Sequence, residues 1–175
     1  MSEMAGSGKK SFKTYFFIGL IIGGIILADQ VTKTLIARSF GMHESMEVIR
    51  HFFNLTYTRN PGAAFGFLSD ERHGFRVFFF PLISSVALLF LGYFVLQTPE
   101  EDLFSLIGFS LIIGGAIGNF IDRLRLGEVI DFLDFYVGTF HWWIFNIADS
   151  CITVGIFLLL FKTLFQKQKG SEAPS

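Results

Sequence analysis

The chain has 175 residues, of which 51% are hydrophobic, 24 are phenylalanine and only 17% are charged. A water-soluble domain of this size and composition would expose too much hydrocarbon, so the sequence predicts an integral membrane protein. The net charge of -1 and the lack of a basic stripe with interleaved aromatic residues argue against a nucleic-acid partner. The single cysteine, Cys151, excludes an internal disulfide framework.

Four apolar stretches are long enough to cross a bilayer, which takes about 20 mostly apolar residues per helix. The first has basic residues before it, like a signal peptide, but the sequence DQVTK follows where a cleavage site would stand. We therefore expect the first stretch to be retained as a membrane span. The four predicted spans cover residues 15–36, 75–96, 103–121 and 142–161.

An even number of spans places both ends of the chain on one side of the membrane. Six of the seven lysines lie in the terminal segments, which favours both termini in the cytoplasm. All seven arginines lie between Arg38 and Arg125, several of them in the outer loops, so the total of basic residues does not decide the orientation. We take residues 1–14 as a cytoplasmic segment, 15–165 as one integral membrane domain and 166–175 as a disordered cytoplasmic tail.

Two outer loops carry strand-like sequence. Residues 38–74 include MEVIRHFFNLTYTRN, whose β-branched and aromatic residues favour two short strands before the turn at Pro61 and Gly62. Residues 124–141 include GEVIDFLDFYV, an alternating stretch that begins at Gly127. The two loops together predict a small β-sheet against the outer membrane surface.

Polar side chains gather near the outer ends of the first and third spans. An ionisable group inside a span costs at least roughly 2.5 to 3.5 kcal/mol, so it is expected to face a partner or a water-filled cavity. Asp29 has Lys33 four residues later, a spacing typical of a structural ion pair. Asn119, Asp122 and Arg123 share one helical face, which suits either an interfacial charge cluster or part of a site.

The fourth span contains the segment FNIADSC, in which Asn146 and Asp149 are three residues apart and are expected on one helical face. Asp149 has no base within one turn of its own helix, so it is the strongest functional candidate. Asp131 and Asp134 lie on opposite sides of an alternating strand, so one of them can face Asp149 and the other is expected to be solvated. Two adjacent aspartates in dehydrated surroundings would share one proton and could activate water against a peptide carbonyl.

Other chemistries have little support in the sequence. No histidine lies on the helix of Cys151 to activate a thiolate, so a buried structural cysteine is expected. The four histidines are scattered through the outer loops without a metal-binding HExxH pattern, and no GxSxG nucleophile motif is present. We therefore predict no metal and no cofactor.

Five short segments, in order along the chain, match one family. They are DQVTK, NPGAAFG, GGAIGNFIDR, GEVIDF and FNIADS, and they extend from residue 29 to residue 150. By these segments the chain resembles the lipoprotein signal peptidases (signal peptidase II), which are aspartyl peptidases of the bacterial inner membrane. Gly66, in the second segment, replaces a serine that is often found there.

The resemblance implies an all-α membrane fold with minor β structure: a four-transmembrane-helix bundle with a small extracytoplasmic β-platform and an outer-surface helix. It implies cleavage of a lipid-modified prolipoprotein on the N-terminal side of its diacylglyceryl cysteine, near the outer leaflet and in contact with membrane lipid. We expect the protein to act as a monomer. By motif position, Asp131 and Asp149 would be the catalytic pair. The substrate-positioning residues would be Asn60, Asn119, Arg123 and Asn146, and the structural supports would be Asp29, Lys33 and Asp122.

Two other classes fit the hydropathy. A small four-span carrier could use membrane carboxylates for proton coupling, although carriers usually place the key charge near the bilayer midplane. A noncatalytic membrane adaptor with a polar helix interface would tolerate asparagine at either aspartate. Both classes are weaker interpretations, because the polar cluster is expected at one interface beneath two elaborate loops.

Overall fold

The computed structural model describes residues 10–62 and 73–171. The described chain contains four helices: α1 Phe12–Ser39, α2 His73–Gln97, α3 Leu103–Leu126 and α4 Ile147–Ser171. It also contains four strands: β1 Ser45–Ile49, β2 Phe53–Asn60, β3 Val129–Val137 and β4 Phe140–His141. Each helix includes a stretch long and apolar enough to cross a membrane, which confirms the predicted four-span, mostly helical class.

The outer faces of the helices are apolar. Leu20, Leu89 and Phe157 are 63%, 75% and 67% exposed, on three different helices. Apolar surface of this extent is unfavourable in water and is favourable against lipid chains. The chain is therefore a multi-pass membrane protein.

Helix α3 contacts each of the other three helices. Its glycines permit this close packing: a Cβ added at Gly115 would lie 2.3 Å from the carbonyl oxygen of Ala148 on α4. A Cβ added at Gly118 would lie 2.6 Å from Oδ2 of Asp29 on α1. The glycines of α3 therefore allow close helix packing, and they bring polar groups of α1 and α4 close to α3.

The four strands form one antiparallel sheet in the order β1-β2-β3-β4, as the two loop sequences predict. Helix α3 ends where Gly127 adopts a left-handed conformation with φ of 75°, a geometry that glycine tolerates without strain. Strand β3 starts two residues later. Tyr57, Ile130 and Phe132 of the sheet form a buried cluster with Ile36 of α1, which fixes the sheet to the end of the helix bundle.

The start of the fourth span differs from the prediction. Helix α4 begins at Ile147, whereas the sequence predicts a span from residue 142. Phe145 is extended and pairs with Leu133 of β3. Its backbone N–H donates to the Leu133 carbonyl at 3.2 Å, and its carbonyl accepts from the N–H of Leu133 at 2.8 Å. Asn146 therefore precedes the helix instead of lying on its face.

The opposite end of the bundle is also connected by polar contacts. Glu100, in the turn between α2 and α3, accepts from the backbone N–H of Ser11 at 2.8 Å and from the hydroxyl of Thr14 at 2.6 Å. These hydrogen bonds lower the pKa of Glu100 to about 2. The turn between α2 and α3 thus holds the start of α1 against the rest of the bundle.

The end of α4 and two parts of the outer loops remain to be compared with the prediction. Helix α4 continues to Ser171, into the segment where the sequence predicts a disordered tail. Residues 63–66 of the NPGAAFG segment, with Gly66, lie outside the described residues. No outer-surface helix is found within residues 10–62 and 73–171, so that part of the expected fold stays a prediction.

Candidate active site

The site is built around the start of α4, where Asn146 and Asp149 cap the helix reciprocally. The backbone N–H of Asp149 donates to Oδ1 of Asn146 at 2.9 Å, and the backbone N–H of Asn146 donates to Oδ2 of Asp149 at 3.3 Å. This pattern satisfies two of the N–H groups that a helix leaves unpaired at its first turn. It also fixes the Asp149 carboxylate at the positive end of the helix dipole.

Asp131, on β3, meets the same asparagine from the other side. The Nδ2 amide of Asn146 donates to Oδ1 of Asp131 at 2.6 Å, and it also lies within hydrogen-bond distance of the Ile130 carbonyl and of Oδ1 of Asn119. Asn146 is fully buried and Asp131 is 2% exposed. Asn146 thus connects the two aspartates through its single side chain.

Asn119 of α3 makes a second connection. Its Nδ2 amide donates to Oδ1 of Asp149 at 2.7 Å, while its Oδ1 accepts from Nζ of Lys33 at 2.9 Å. The two asparagines therefore link Asp131, Asp149 and Lys33 into one hydrogen-bonded network at the junction of α1, α3, α4 and β3.

The pKa of Asp131 is raised from 3.8 to about 7, mainly by burial and additionally by the negative charge of Asp149. Hydrogen bonds from Asn60 and Asn146, and the positive charge of Lys33, act in the opposite direction. Because Asp131 titrates near neutral pH, it can hold a proton or release one under physiological conditions. The Asp131 carboxyl is therefore suited to acid–base chemistry.

Lys33, which donates to Asn119, is 1% exposed. Its Nζ contacts Oδ2 of Asp29 at 2.9 Å and Oδ2 of Asp122 at 2.8 Å, which confirms the predicted Asp29–Lys33 pair and adds a second carboxylate. Oδ1 of Asp29 accepts from the backbone N–H of Ala148 at 3.0 Å. Asp29 therefore holds both the buried lysine and the first turn of α4.

Asp122 connects this ion pair to the sheet, since its Oδ2 accepts from the backbone N–H of Ile130 at 3.2 Å. Its Oδ1 accepts from Nε2 of Gln30 at 3.0 Å, and the same Nε2 lies 3.2 Å from Oδ2 of Asp29. Gln30 is a member of the network that sequence analysis misses. It belongs to the DQVTK segment, but a neutral amide produces no charge pattern by which to recognise it.

Arg123 and Asn60 lie at the edge of the network. Nη2 of Arg123 donates to the Gly62 carbonyl at 3.3 Å, and its guanidinium lies 5.2 Å from the centre of the Phe80 ring. Arg123 also interacts electrostatically with Asp149 and Asp131. Oδ1 of Asn60 accepts from the backbone N–H of Gly62 at 3.0 Å, so Asn60 and Arg123 both hold the turn that follows β2.

Asp134 is placed differently from the prediction. It is 3% exposed, whereas the sequence predicts a solvated side chain for whichever of Asp131 and Asp134 lies away from the site. Its Oδ2 accepts from Asn54 at 3.2 Å and from Thr56 at 3.1 Å, and its Oδ1 contacts Nδ1 of His141 at 2.8 Å. The sheet itself supplies these partners, so burial of Asp134 does not require contact with the bundle.

One network contains most of the candidate residues: Asp29, Lys33, Asn119, Asp122, Asp131, Asn146 and Asp149. Asn60 joins it by a hydrogen bond to Asp131, and Arg123 lies at its edge. Within residues 10–62 and 73–171, no three His, Cys, Asp or Glu side chains are grouped so as to hold a metal ion. The fold and the network define a class: a polytopic membrane protein in which hydrogen bonds from asparagine side chains connect a pair of aspartates at one end of a helix bundle.

Comparisons with known proteins agree with this class. A family model described as Signal peptidase (SPase) II matches residues 9–165. The chain is 47% identical to a lipoprotein signal peptidase of Syntrophus aciditrophicus (strain SB) over 147 residues, which is 84% of this chain and 91% of that protein. It is 43% identical to one from Francisella tularensis subsp. mediasiatica (strain FSC147) over 156 residues, 89% of this chain and 94% of that protein.

A solved structure of a bacterial membrane enzyme superposes with a TM-score of 0.83 at 39% sequence identity, covering 95% of this chain and 98% of that chain. The chain belongs to the signal peptidase II family. It is therefore a membrane peptidase, which decides against the carrier and the adaptor.

Proposed function

We propose that this protein is an intramembrane aspartyl endopeptidase. In this proposal it removes the signal peptide from diacylglyceryl-modified prolipoproteins by cleaving on the N-terminal side of the lipidated cysteine. The observation that carries the proposal is the pair of carboxylates, buried Asp131 and half-buried Asp149, joined through Asn146. The likeness to lipoprotein signal peptidases over most of the chain supports the substrate class.

Asp149 and Asp131 have different surroundings, which favours different catalytic roles for the two carboxyl groups. The Asp149 carboxylate accepts hydrogen bonds from the side-chain amide of Asn119 and the backbone N–H of Asn146 at the positive end of α4. This arrangement favours the ionised form of Asp149. Asp131, whose pKa is about 7, suits the role of the proton donor. We therefore assign Asp149 as the general base and Asp131 as the general acid.

The reaction balances with water as the only other reactant. Asp149 takes a proton from water, and the hydroxyl oxygen bonds to the carbonyl carbon of the scissile peptide. Asp131 gives its proton to the carbonyl oxygen as the tetrahedral intermediate forms. The carbon–nitrogen bond then breaks, the leaving amine of the lipidated cysteine takes the proton held by Asp149, and the hydroxyl proton returns to Asp131.

The residues around the pair have supporting roles in this proposal. Arg123, Asn60 and Asn119 position the peptide near the lipidated cysteine. Asn146 is fully buried and both of its amide hydrogens are engaged, so we assign it the positioning of Asp131 and Asp149 instead of the substrate contact implied by the family resemblance. Asp29, Lys33 and Asp122 support the start of α4 and the sheet.

The test uses purified protein with two precursors of one sequence, one carrying the diacylglyceryl cysteine and one unmodified. We expect cleavage of the modified precursor alone, at the bond preceding the cysteine, and no effect of EDTA. Cleavage of both precursors at equal rates would contradict the lipid requirement. Inhibition by EDTA that added zinc reverses would contradict a mechanism carried by the aspartates.

We further propose that the protein acts as a monomer in the bacterial inner membrane, with both termini cytoplasmic and the site near the outer leaflet. The position of the lysines supports this orientation. In a Cys151→Ser background, a membrane-impermeant thiol reagent should label Arg50→Cys, in the turn between β1 and β2, and leave Glu101→Cys, in the turn between α2 and α3, unlabelled in spheroplasts. The reverse labelling would invert the orientation.

A further inference from the structure

A cavity of about 220 Å³ lies between the ends of α1 and α3 and the adjoining edge of the sheet. Three arginines from three different elements line it: Arg38 in the last turn of α1, Arg59 on β2 and Arg125 in the last turn of α3. They are 21 or more residues apart in sequence, so only the fold brings them together. Their convergence is the feature that the proposed peptidase reaction does not use.

The cavity lies on the opposite side of the sheet from the aspartate pair. Arg59 is paired in register with Ile130, and both line the cavity. Asp131 follows Ile130 directly, and successive side chains of a strand point to opposite faces. The cavity and the aspartate pair therefore lie on different faces of β3, and Lys33 and Asp122, which line the cavity, connect it to the hydrogen-bonded network of the pair.

The three arginines have few partners in the part of the chain that the structure describes. No described carboxylate lies within 4.0 Å of any of their guanidinium nitrogens. Nε of Arg59 donates to the Tyr57 hydroxyl at 3.0 Å, and Nη1 of Arg125 lies 3.5 Å from Oε1 of Gln30. Most of their donors are thus available to a ligand.

The charge balance of the cavity favours an anion. Among the described residues its lining contains a single carboxylate, Asp122, and that group is already engaged by Lys33 and Gln30. Arg38 and Arg125 also suit the negative ends of their helix dipoles, but Arg59 lies on a strand, where no such interaction explains it. Arg38 and Arg125 are exposed and Arg59 is half-buried, so water screens part of the repulsion among the three charges, and a bound anion would relieve the rest.

The level of the cavity in the membrane favours a lipid as the source of an anion. Helix α3 has 24 residues and is therefore about 36 Å long, enough to cross a hydrocarbon core of about 30 Å. Arg38 and Arg125 are at the ends of membrane-spanning helices, so they lie at the level of the lipid headgroups whichever way the protein is oriented. Arginine forks bind phosphate oxygens in pairs.

We propose that the cavity lined by Arg38, Arg59 and Arg125 binds the phosphate of an anionic phospholipid headgroup. The ligand chemistry is a phosphate group held by several guanidinium groups, and its source is a neighbouring lipid of the bilayer. Bound lipid would join the end of α1 to β2 and α3, the elements that carry Lys33, Asn60 and Asn119.

The test is native mass spectrometry of the full chain from micelles with either phosphatidylglycerol or phosphatidylcholine, beside melting curves in both lipids. Wild-type protein should retain phosphatidylglycerol and melt at a higher temperature in it than in phosphatidylcholine. Arg59→Gln and Arg125→Gln should each reduce retention several-fold and remove most of the difference in melting temperature. The matched control is Arg50→Gln, an equal loss of charge in the exposed turn between β1 and β2, which should retain the lipid like wild type.

Inorganic phosphate is the third arm. Equal retention of phosphatidylglycerol by all variants, or no preference over phosphatidylcholine, would overturn the site. Stabilisation by inorganic phosphate that depends on Arg59, without any effect of phosphatidylglycerol, would overturn the lipid source. Two arginine variants are used so that misfolding of one, visible in its melting curve, leaves the other to decide.

Discussion

The side-chain amide of Asn146 lies 2.6 Å from Oδ1 of Asp131, while its side-chain oxygen accepts from the backbone of Asp149 at 2.9 Å. One buried residue thus sets the position of both carboxylates. Because Asn146 immediately precedes α4, the geometry of the pair depends on where that helix begins. The pairing of Phe145 with Leu133 fixes this start, so the sheet and the helix bundle position the site together.

Replacing Asn146 by alanine should therefore affect catalysis and folding at once. Loss of the cap should cost about 0.5 to 2 kcal/mol of stability. The Asp131 carboxylate would also lose the amide that donates to it, and the backbone N–H of Asp149 would lose its acceptor, so kcat should fall at least about tenfold with little change in KM. Single-turnover cleavage and a melting curve in detergent measure the two effects.

Asn54→Ala provides the control for that variant, because Asn54 donates to Asp134 at 3.2 Å away from the site. It should lower the melting temperature without lowering kcat. An Asn146→Ala variant with wild-type kcat would show that the asparagine does not position the pair.

The pH dependence of cleavage should be bell-shaped, because the pair must carry one proton between its two carboxylates. The pKa of Asp131 is raised to about 7, so its proton is lost as the pH rises through that value. Activity should accordingly decline on the alkaline side from about pH 7, and on the acid side when the second carboxylate becomes protonated. Rates that stay constant from about pH 4 to 9 would contradict a shared proton.

Much of this arrangement can be predicted from local sequence. Long apolar stretches identify the four spans, and the spacing of Asp29 and Lys33 identifies their ion pair, since both signals depend on neighbours within one helix. Strand alternation shows that Asp131 and Asp134 face opposite ways. It does not show which of them faces the bundle, because the packing of a strand on helices depends on residues distant in sequence.

The remaining differences have the same non-local origin. The apolar sequence HWWIF is compatible with either a helix or an extended segment. Only the pairing of its last residue, Phe145, with Leu133 of β3 shows that the chain is extended before α4. Asp134 is buried by partners on β2 and by His141, which strand periodicity does not reveal. Gln30 and the arginine-lined cavity likewise depend on contacts between separate elements.

Asp29→Asn should act mainly on stability. Asp29 is fully buried and shares Lys33 with Asp122, so the variant leaves the lysine with one carboxylate in place of two. Loss of one partner of a buried pair costs about 3 to 5 kcal/mol when no other partner remains, and we expect a smaller cost here because Asp122 stays in place. The melting temperature should drop, and the folded fraction should retain part of its activity.

Glu101→Gln, the same loss of one negative charge at an exposed position, is the control for Asp29→Asn and should leave both measurements unchanged. Complete loss of turnover by Asp29→Asn protein that is still folded would place Asp29 in the chemistry instead of in its support.

Arg123→Lys should weaken turnover while the protein still folds. The guanidinium of Arg123 contacts the Gly62 carbonyl and the Phe80 ring at once, and a lysine ammonium cannot reproduce a planar fork. We expect kcat/KM to fall roughly tenfold, a loss of about 1.4 kcal/mol. Arg50→Lys in the exposed turn is the control, and wild-type kinetics in Arg123→Lys would remove Arg123 from the site.

The central claim is that Asp131 and Asp149 act as one acid–base pair, and single-turnover cleavage of the diacylglyceryl-modified precursor tests it most directly. Asp131→Asn and Asp149→Asn should each reduce the rate by about a hundredfold to ten-thousandfold while the protein remains folded, and the double variant should be scarcely slower. Asp134→Asn, the same change on the same strand but bound to the sheet, should retain cleavage. Substantial turnover by Asp131→Asn or Asp149→Asn would contradict the pair.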